Sequence, residues 1–193
     1  MLMSHPNGPH EIDSSLEALI RSRRTIYDFE PEKPRQVLIL NAIDAACWAP
    51  NHLHTHPWRF YLLGDKASGA VVACYKKLVE QKRGADTARF KGARWEKTPG
   101  WLVVTSVRSE DTTREREDYG ACCCMVQNLA LMLWSAGVGL KWSTGPVTDH
   151  TSFFEITGID PEKEMVVGLF GYGFPAETPR STRPAISEFI RRV

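Results

Sequence analysis

Four short stretches carry residue types and spacings that could do chemistry. In RSRRTIYDF, Arg21, Arg23 and Arg24 fall within four positions and Thr25 adds a hydroxyl. Three guanidinium groups and a hydroxyl can hold a phosphate, because charge-assisted hydrogen bonds contribute roughly 1.5–3 kcal/mol each. The same spacing also suits a solvated helix end, where cations oppose the negative terminus. In APNHLHTHPWRF, His52, His54 and His56 alternate and would face one way in an extended chain, which makes a metal site conceivable. No adjacent carboxylate or cysteine completes such a ligand set and Pro57 disrupts the regularity, so the loop is read without metal. Cys122, Cys123 and Cys124 are consecutive. On a helix they splay by about 100° each and cannot converge on one ion, so they are read as small packing residues. GLKWSTGP ends in a Ser, Thr, Gly turn whose amides and hydroxyls could meet the polar edge of a ring.

The elements that must position these residues follow from patterning. Ser14 and Glu17 stand at capping-box spacing and open a short helix, SLEALIRSR, that delivers the arginines. Pro34 suits the first position of a helix whose Val37, Leu40, Ile43 and Ala46 share a face, and Pro50 stops it before the histidine loop. A strand is predicted over 58–63, closed by Gly64 and Asp65, then a helix over about 66–81. Residues 76–97 carry eight basic against three acidic side chains, a run that suits either an anionic cosubstrate or plain solvation. A buried strand is predicted over 101–107 and another over 165–170, MVVGLF, before the glycines of GYGFP. Between these two strands Asp149 is placed to cap a brief helix through Phe153 and Ile156.

The longest apolar run is YGACCCMVQNLALMLWSAGVGL, residues 119–140, which holds 22 residues without a charge. Thr112 and Glu115 stand at capping-box spacing ahead of it. Apolar groups surround its helical projection, so it must be buried on every side. A membrane span is long enough at ~20 residues, but Gln127 and Asn128 would lie near its centre, Gly137 and Gly139 interrupt it, and no second such segment exists. Burial inside a globular fold, with part of the cover from a second copy of a small chain, makes a homodimer the expectation.

The 193 residues are 42% hydrophobic and 24% charged, which fits one globular domain. Lys and Arg number 24 against 23 Asp and Glu, so no global field points to nucleic acid or membrane as a partner. MLMSHPNGPHEID has no secretory pattern and the five cysteines have no framework spacing, so a reducing cytoplasm is expected. A flexible leader is assigned to 1–13 and a single domain to 14–193. The tail ETPRSTRPAISEFIRRV has too little apolar surface to stand alone and is expected to lie over the domain or a partner, bringing Arg180 and Arg183 near what lies below. There is no internal repeat, GxGxxG, P-loop, zincin or nucleophile-elbow motif.

Taken in order, RSRRTIYDF, APNHLHTHPWRF, the apolar helix with Gln127, Asn128 and Leu129, and GLKWSTGP followed by VGLFGYGFP resemble the nitroreductase family of flavin-dependent oxidoreductases, especially its short single-domain members. The resemblance covers about residues 14–190. It implies an α+β fold, with a mixed, mainly antiparallel sheet flanked by helices, assembled as an intertwined homodimer with FMN at each end of the interface and the tail reaching over the partner subunit. Arg23, Arg24 and Thr25 would contact the phosphate, ribityl or pyrimidine side of FMN, with Arg183 a further phosphate ligand. Pro50, Asn51 and His52 would approach from the other subunit, and His54 follows them in the same loop. Trp142, Ser143, Thr144 and Gly145 would lie along the isoalloxazine, with the amide of Gly145 near N5. The small residues Gly120, Ala121 and Cys124 would line the dimer axis.

The implied activity is a ping-pong transfer of hydride from NADH or NADPH through flavin N5 to a small-molecule electron acceptor, such as a nitroaromatic, a quinone or an unsaturated carbonyl compound. No side-chain acid, base or nucleophile is required. The alternatives are a specialised flavoenzyme of the same superfamily acting on one metabolite, or a non-catalytic flavin-binding redox module. Three positions depart from the family pattern: His54 stands where Asn is common, His56 where Gln is common, and Tyr27 where many larger members carry a lysine near the flavin N1 and O2 edge. Without another cation there, the anionic reduced flavin loses stabilisation and its potential falls.

Overall fold

The computed structural model describes residues 13–193; of the expected leader over 1–13, all but Asp13 lies outside the described residues. Helix α1 (Ser14–Ser22) opens on Asp13, whose carboxylate accepts from the amides of Ser15 at 2.8 Å and Leu16 at 3.3 Å. That corrects the capping box read into Ser14 and Glu17: the carboxylate one residue earlier takes the amides, and Glu17 turns to Arg21 at 2.6 Å instead. Helix α2 spans Gln36–Ala46, so Pro34 stands outside it and Arg35 is its N-cap residue. Strand β1 (Trp58–Leu63) leads into α3 (Asp65–Arg83), α4 (Ala85–Glu96) and β2 (Gly100–Val107). Helix α5 spans Thr112–Ser135 and is capped by Asp111, not by Thr112, through bonds from Thr113 and Arg114. Strand β3 (Gly139–Ser143), α6 (Thr151–Thr157) and β4 (Glu164–Gly173) complete the order. The cap of α6 is His150, whose Nδ1 accepts from the Ser152 amide at 3.1 Å, in place of Asp149.

The four strands pair in the order β1-β2-β4-β3, every neighbour antiparallel. One parallel bridge, Thr25 to Leu140, lays the arginine segment along the outer edge of β3, with the Ile26 amide donating to the Leu140 carbonyl at 3.3 Å. This contact is the mixed element in a sheet that is otherwise antiparallel. The approach is close: a Cβ on Gly139 would fall 2.4 Å from Ile26 Cγ1, so glycine is what lets the two segments meet. The register of β2 against β4 shifts between Val104 and Thr105, leaving Val167 as the extra residue. Its carbonyl accepts from the Trp142 indole at 3.0 Å, so the bulge is satisfied from the neighbouring strand.

Strand alternation divides the core between the two faces of the sheet. Leu102, Val104 and Phe170 pack with Ile39, Ala42 and Ala46 of α2 and with Met125, Leu129 and Leu133 of α5. Trp101, Val103 and Leu169 pack with Val71 of α3, Trp95 of α4 and Phe153 of α6. Helices therefore cover both faces, as the fold expectation requires. One burial expectation is corrected: on α2 the buried residues are Ile39, Ala42 and Ala46, whereas Val37 and Leu40 are exposed. On α5, within the run over 119–140, Gly120, Cys124, Gln127 and Met132 are exposed within one chain, the side for which cover from a second copy is expected. The three cysteines splay as expected, Cys122 buried, Cys123 half-buried and Cys124 exposed. Among the described residues, no helix is long and apolar enough to cross a membrane.

Candidate functional site

The arginine cluster is built by chain geometry before any ligand is considered. Helix α1 ends at Ser22, and the bridge to β3 holds the next residues extended, so Arg23 and Arg24 emerge at the open edge of the sheet. Arg24 is fixed by two carbonyls, those of Arg21 at 2.6 Å and Arg23 at 2.9 Å. Arg183, exposed on the tail, lies near enough for its charge to act on Arg23, and it donates to Ser181 Oγ and to the Thr182 carbonyl. Burial, then the charges of Arg183 and Arg24, pull the Arg23 guanidinium below its ordinary value. Among the described residues, none of the three forms an ion pair with a carboxylate. Like charges gathered without a counter-charge destabilise the free chain and are relieved by an anion. Of the arginines in the sequence cluster, Arg21 stays at the solvated helix end, paired with Glu17 at 2.6 Å, while Arg23 and Arg24 are half-buried.

The turn after β3 is the second part. Ser143, Thr144 and Gly145 line a cavity of about 150 Å³ between β3 and the α3–α4 pair. The Ser143 hydroxyl is buried and has no hydrogen-bond partner among the described residues. A buried polar atom without a partner costs ~1–3 kcal/mol, and Ser106 Oγ is in the same state. Gly145 has φ of +133°, a conformation that side-chain-bearing residues rarely adopt. Its amide makes only a long 3.3 Å bond to Thr148 Oγ1, whose own hydroxyl donates to the Gly145 carbonyl at 2.8 Å. Pro146 at the second position and the 2.9 Å bond from Thr148 N to Gly145 O close a tight turn that holds this amide in place. Trp142 does not join the group: alternation sends its ring to the other face, against Phe170 at 5.3 Å and the Val167 carbonyl.

The histidine loop is not extended. His52–His54 form a 3-10 turn, and Leu53, His54 and His56 have positive φ. Asn51 organises the reversal: its Oδ1 accepts from the His56 amide at 2.7 Å and its Nδ2 donates to Thr55 Oγ1 at 2.9 Å. Thr55 in turn donates to Asp118, which is buried. The alternation that suggested three histidines facing one way is therefore lost, and among the described residues no group of three His, Cys, Asp or Glu is arranged to hold a metal ion. Pro50, Asn51 and His54 line a separate cavity of about 450 Å³ beside Trp48 and Trp58; His52 is exposed and lines neither cavity.

The structure thus brings together Arg23, Arg24 and Arg183, staples Thr25 to β3, and gathers Ser143, Thr144 and Gly145, while Pro50, Asn51 and His54 form their own concavity. Sequence reasoning missed Thr148 and Lys141. The Gly145-Pro146 pair was a usable turn signal for the first. For the second, a charged residue between Leu140 and Trp142 in a short strand must face opposite to both.

With this geometry in hand, likeness to known proteins is informative. A sequence model described as the Nitroreductase family matches residues 20–174. A Bacillus subtilis (strain 168) protein named as a candidate NAD(P)H nitroreductase, YfhC, is 29% identical over 170 residues, covering 86% of this chain and 87% of the relative. The crystal structure of a nitroreductase-like family protein from Bacillus cereus superposes with a TM-score of 0.81 at 27% identity, covering 95% of this chain and 98% of that one. A nitroreductase-type protein of Desulfovibrio desulfuricans, solved in complex with FMN, has the same fold, with a TM-score of 0.76 at 22% identity, over 95% of this chain and 98% of that one.

Proposed function

The chain belongs to the Nitroreductase family, and we propose that it is an FMN-dependent NAD(P)H oxidoreductase that reduces a nitroaromatic, quinone or similar small acceptor. The observation that carries this reading is the converging trio Arg23, Arg24 and Arg183, which has no carboxylate to pair with and so suits a phosphate. The donor set fits FMN. Guanidinium groups and the Thr25 hydroxyl would hold the phosphate and its neighbouring chain. Ser143 Oγ, lacking a partner, would meet the polar edge of the ring system, and the Gly145 amide, held by the Thr148 turn, would point a donor at N5. FMN, when bound, supplies the hydride chemistry, and the protein supplies binding, orientation and electrostatics. The names of the relatives support the same reading: one is named for NAD(P)H nitroreductase activity and another was solved with FMN.

The assembly we propose is a homodimer in the cytoplasm. Val37 and Leu40 of α2 and Gly120, Cys124 and Met132 of α5 leave apolar or small surface open in one chain. Ile186, Phe189 and Ile190 of the tail are also exposed, as an arm that lies over a partner would be. Ala121 is buried in the chain's own core and is not part of that surface. In the dimer, the loop with Pro50, Asn51, His52 and His54 would complete the FMN site of the other copy.

The test is spectroscopic. Purified protein should be yellow, release about one FMN per chain, and bleach under NADH or NADPH without oxygen. FMN-loaded protein that keeps its colour under excess of both would overturn the oxidoreductase reading. For the assembly, Cys124→Arg should give monomers that release FMN; monomers retaining stoichiometric FMN would overturn the shared site.

A further inference from the structure

Strand β3 places one charged side chain between the two parts of the site already described. Leu140 is bridged to Thr25 beside the arginines, and Ser143 opens the turn to Gly145. Lys141 lies between them. Alternation sets it on the face of Ser143, about 7 Å before it along the strand and opposite to Leu140 and Trp142. A ring system laid from Arg23 and Arg24 toward Gly145 therefore passes Lys141.

The place of the ammonium is set by its surroundings. Its Nζ stands 5.4 Å from the ring centroids of Tyr27 and of Trp95, within cation–π range of both. Trp95 is buried and stacked under Tyr75 at 3.7 Å, so that side is fixed, whereas Tyr27 is half exposed. Of the cations lining the same small cavity, Arg94 is held by Asp28 at 3.2 Å, while Lys91 and Lys141 form no ion pair among the described residues. Burial first, then the charges of Arg94 and Lys91, push the Lys141 ammonium below its ordinary value, with Asp28 opposing them. A half-buried cation without a counter-charge gains from any negative charge that comes to rest beside it.

Resting on the flavin reading above, we propose that Lys141 is the cation at the N1 and O2 edge of the FMN ring and stabilises the negative charge that this edge carries after reduction. When NAD(P)H gives a hydride to N5 and leaves as NAD(P)+, the ring gains two electrons and one proton, and the negative charge settles on N1 and O2. Tyr27, standing where many larger family members carry a lysine, brings no cation, and the Lys141 ammonium lies over its ring. The charge is thus supplied from the neighbouring strand, which offsets the fall in potential expected from Tyr27 alone. The ring of oxidised FMN is neutral and gains much less, so Lys141 acts on reduction of the cofactor and not on its retention.

The experiment is a potentiometric titration of FMN-loaded protein against a reference dye without oxygen. Lys141→Met keeps the stem and loses the charge. It should weaken reduced FMN about 10-fold relative to oxidised FMN, a fall of about 30 mV in the two-electron midpoint. Lys141→Gln should shift the midpoint in the same direction, Lys141→Arg should hold it near the wild-type value, and Lys91→Met should move it much less. Binding of oxidised FMN, followed by fluorescence, should change less than about threefold in each variant. An unchanged midpoint in both Lys141→Met and Lys141→Gln, or equal losses of oxidised and reduced FMN, would overturn the proposal and leave the flavin reading standing. A shift with Lys91→Met as large as with Lys141→Met would assign the effect to the general field of the cleft and overturn it too. Protein that takes up no FMN would instead sink the flavin reading on which the proposal rests.

Discussion

The chain has two basic regions, and they solve the same electrostatic problem in opposite ways. On α3 and α4, Lys76, Arg89 and Arg94 are each matched to a carboxylate, three of the eight basic side chains in the run over 76–97. At the edge of β3, Arg23, Arg24 and Arg183 are brought together with none. Exposed pairs contribute only about 0–1 kcal/mol and tolerate loss. Gathered like charges are a standing cost that folding elsewhere must cover, and such a cost marks a site for something the chain itself does not contain. Counting charges favours the first region; asking which charges are matched favours the second.

The sharpest way to break this contrast is Arg23→Ala. FMN affinity should fall about 10- to 100-fold, the loss of one charge-assisted contact. The thermal midpoint of the flavin-free protein should hold or rise, because repulsion is relieved. Fluorescence titration with FMN and melts without it check both halves, and a fall in both would return Arg23 to an ordinary structural role. Next in size, Thr148→Val removes the hydroxyl that braces Gly145 and should cost about 1 kcal/mol in denaturant melts, with weaker FMN retention.

A third case lies between the two extremes, because Glu164 is a charge satisfied by hydroxyls. It accepts from Tyr61 at 2.8 and 2.9 Å and from Thr105. Burial first, then the bond to Glu164, pushes the Tyr61 phenol up to about 12. The folded value lies above the ordinary tyrosine value of about 10, so the stability it confers is complete below that pH and is lost as pH rises through the folded value. Alkaline denaturation should therefore show a limb near pH 10–12, and Tyr61→Phe should flatten it. Smallest of all, Lys76→Gln should change stability by less than about 1 kcal/mol and leave FMN binding unaltered. A larger effect would show that the paired region is not the passive one.

Much of the fold was legible because strands and helices here advertise their periods. The strands over 58–63 and 101–107 and the helix after Gly64 are found within a few residues of where patterning places them. Two caps were misplaced by one residue for one reason: Asp13 and Asp111 precede a Ser or Thr and take the amides first; at α6 the cap falls one residue after Asp149, on His150. The open side of α2 was not legible at all. Val37 and Ile39 are equally apolar, and nothing in one chain's pattern says which faces its own core. Of the candidate site, the arginines were visible as a cluster, but Arg183 lies 160 residues from Arg23 and only folding, or a family likeness, joins them. The histidine alternation failed because Asn51 bonds to the loop's own backbone and reverses it. Lys141 stayed hidden because a single lysine in a five-residue strand reads as exposure until Tyr27 and Trp95 are seen beside it.

The bridge between Thr25 and Leu140 has one more consequence. Strand β3 is an edge strand, and a bare edge offers unpaired amides and carbonyls to any passing chain. The segment laid along it pairs with β3 at a single point, and the half-buried Arg23 and Arg24 just before that point would set like charges against each other if two such edges approached. The residues proposed to capture a phosphate are thus also those that keep copies of this protein from joining edge to edge. Neutralising them, by mutation or by a saturating anion, removes that protection, and the cofactor's occupancy becomes a factor in whether the protein stays in solution.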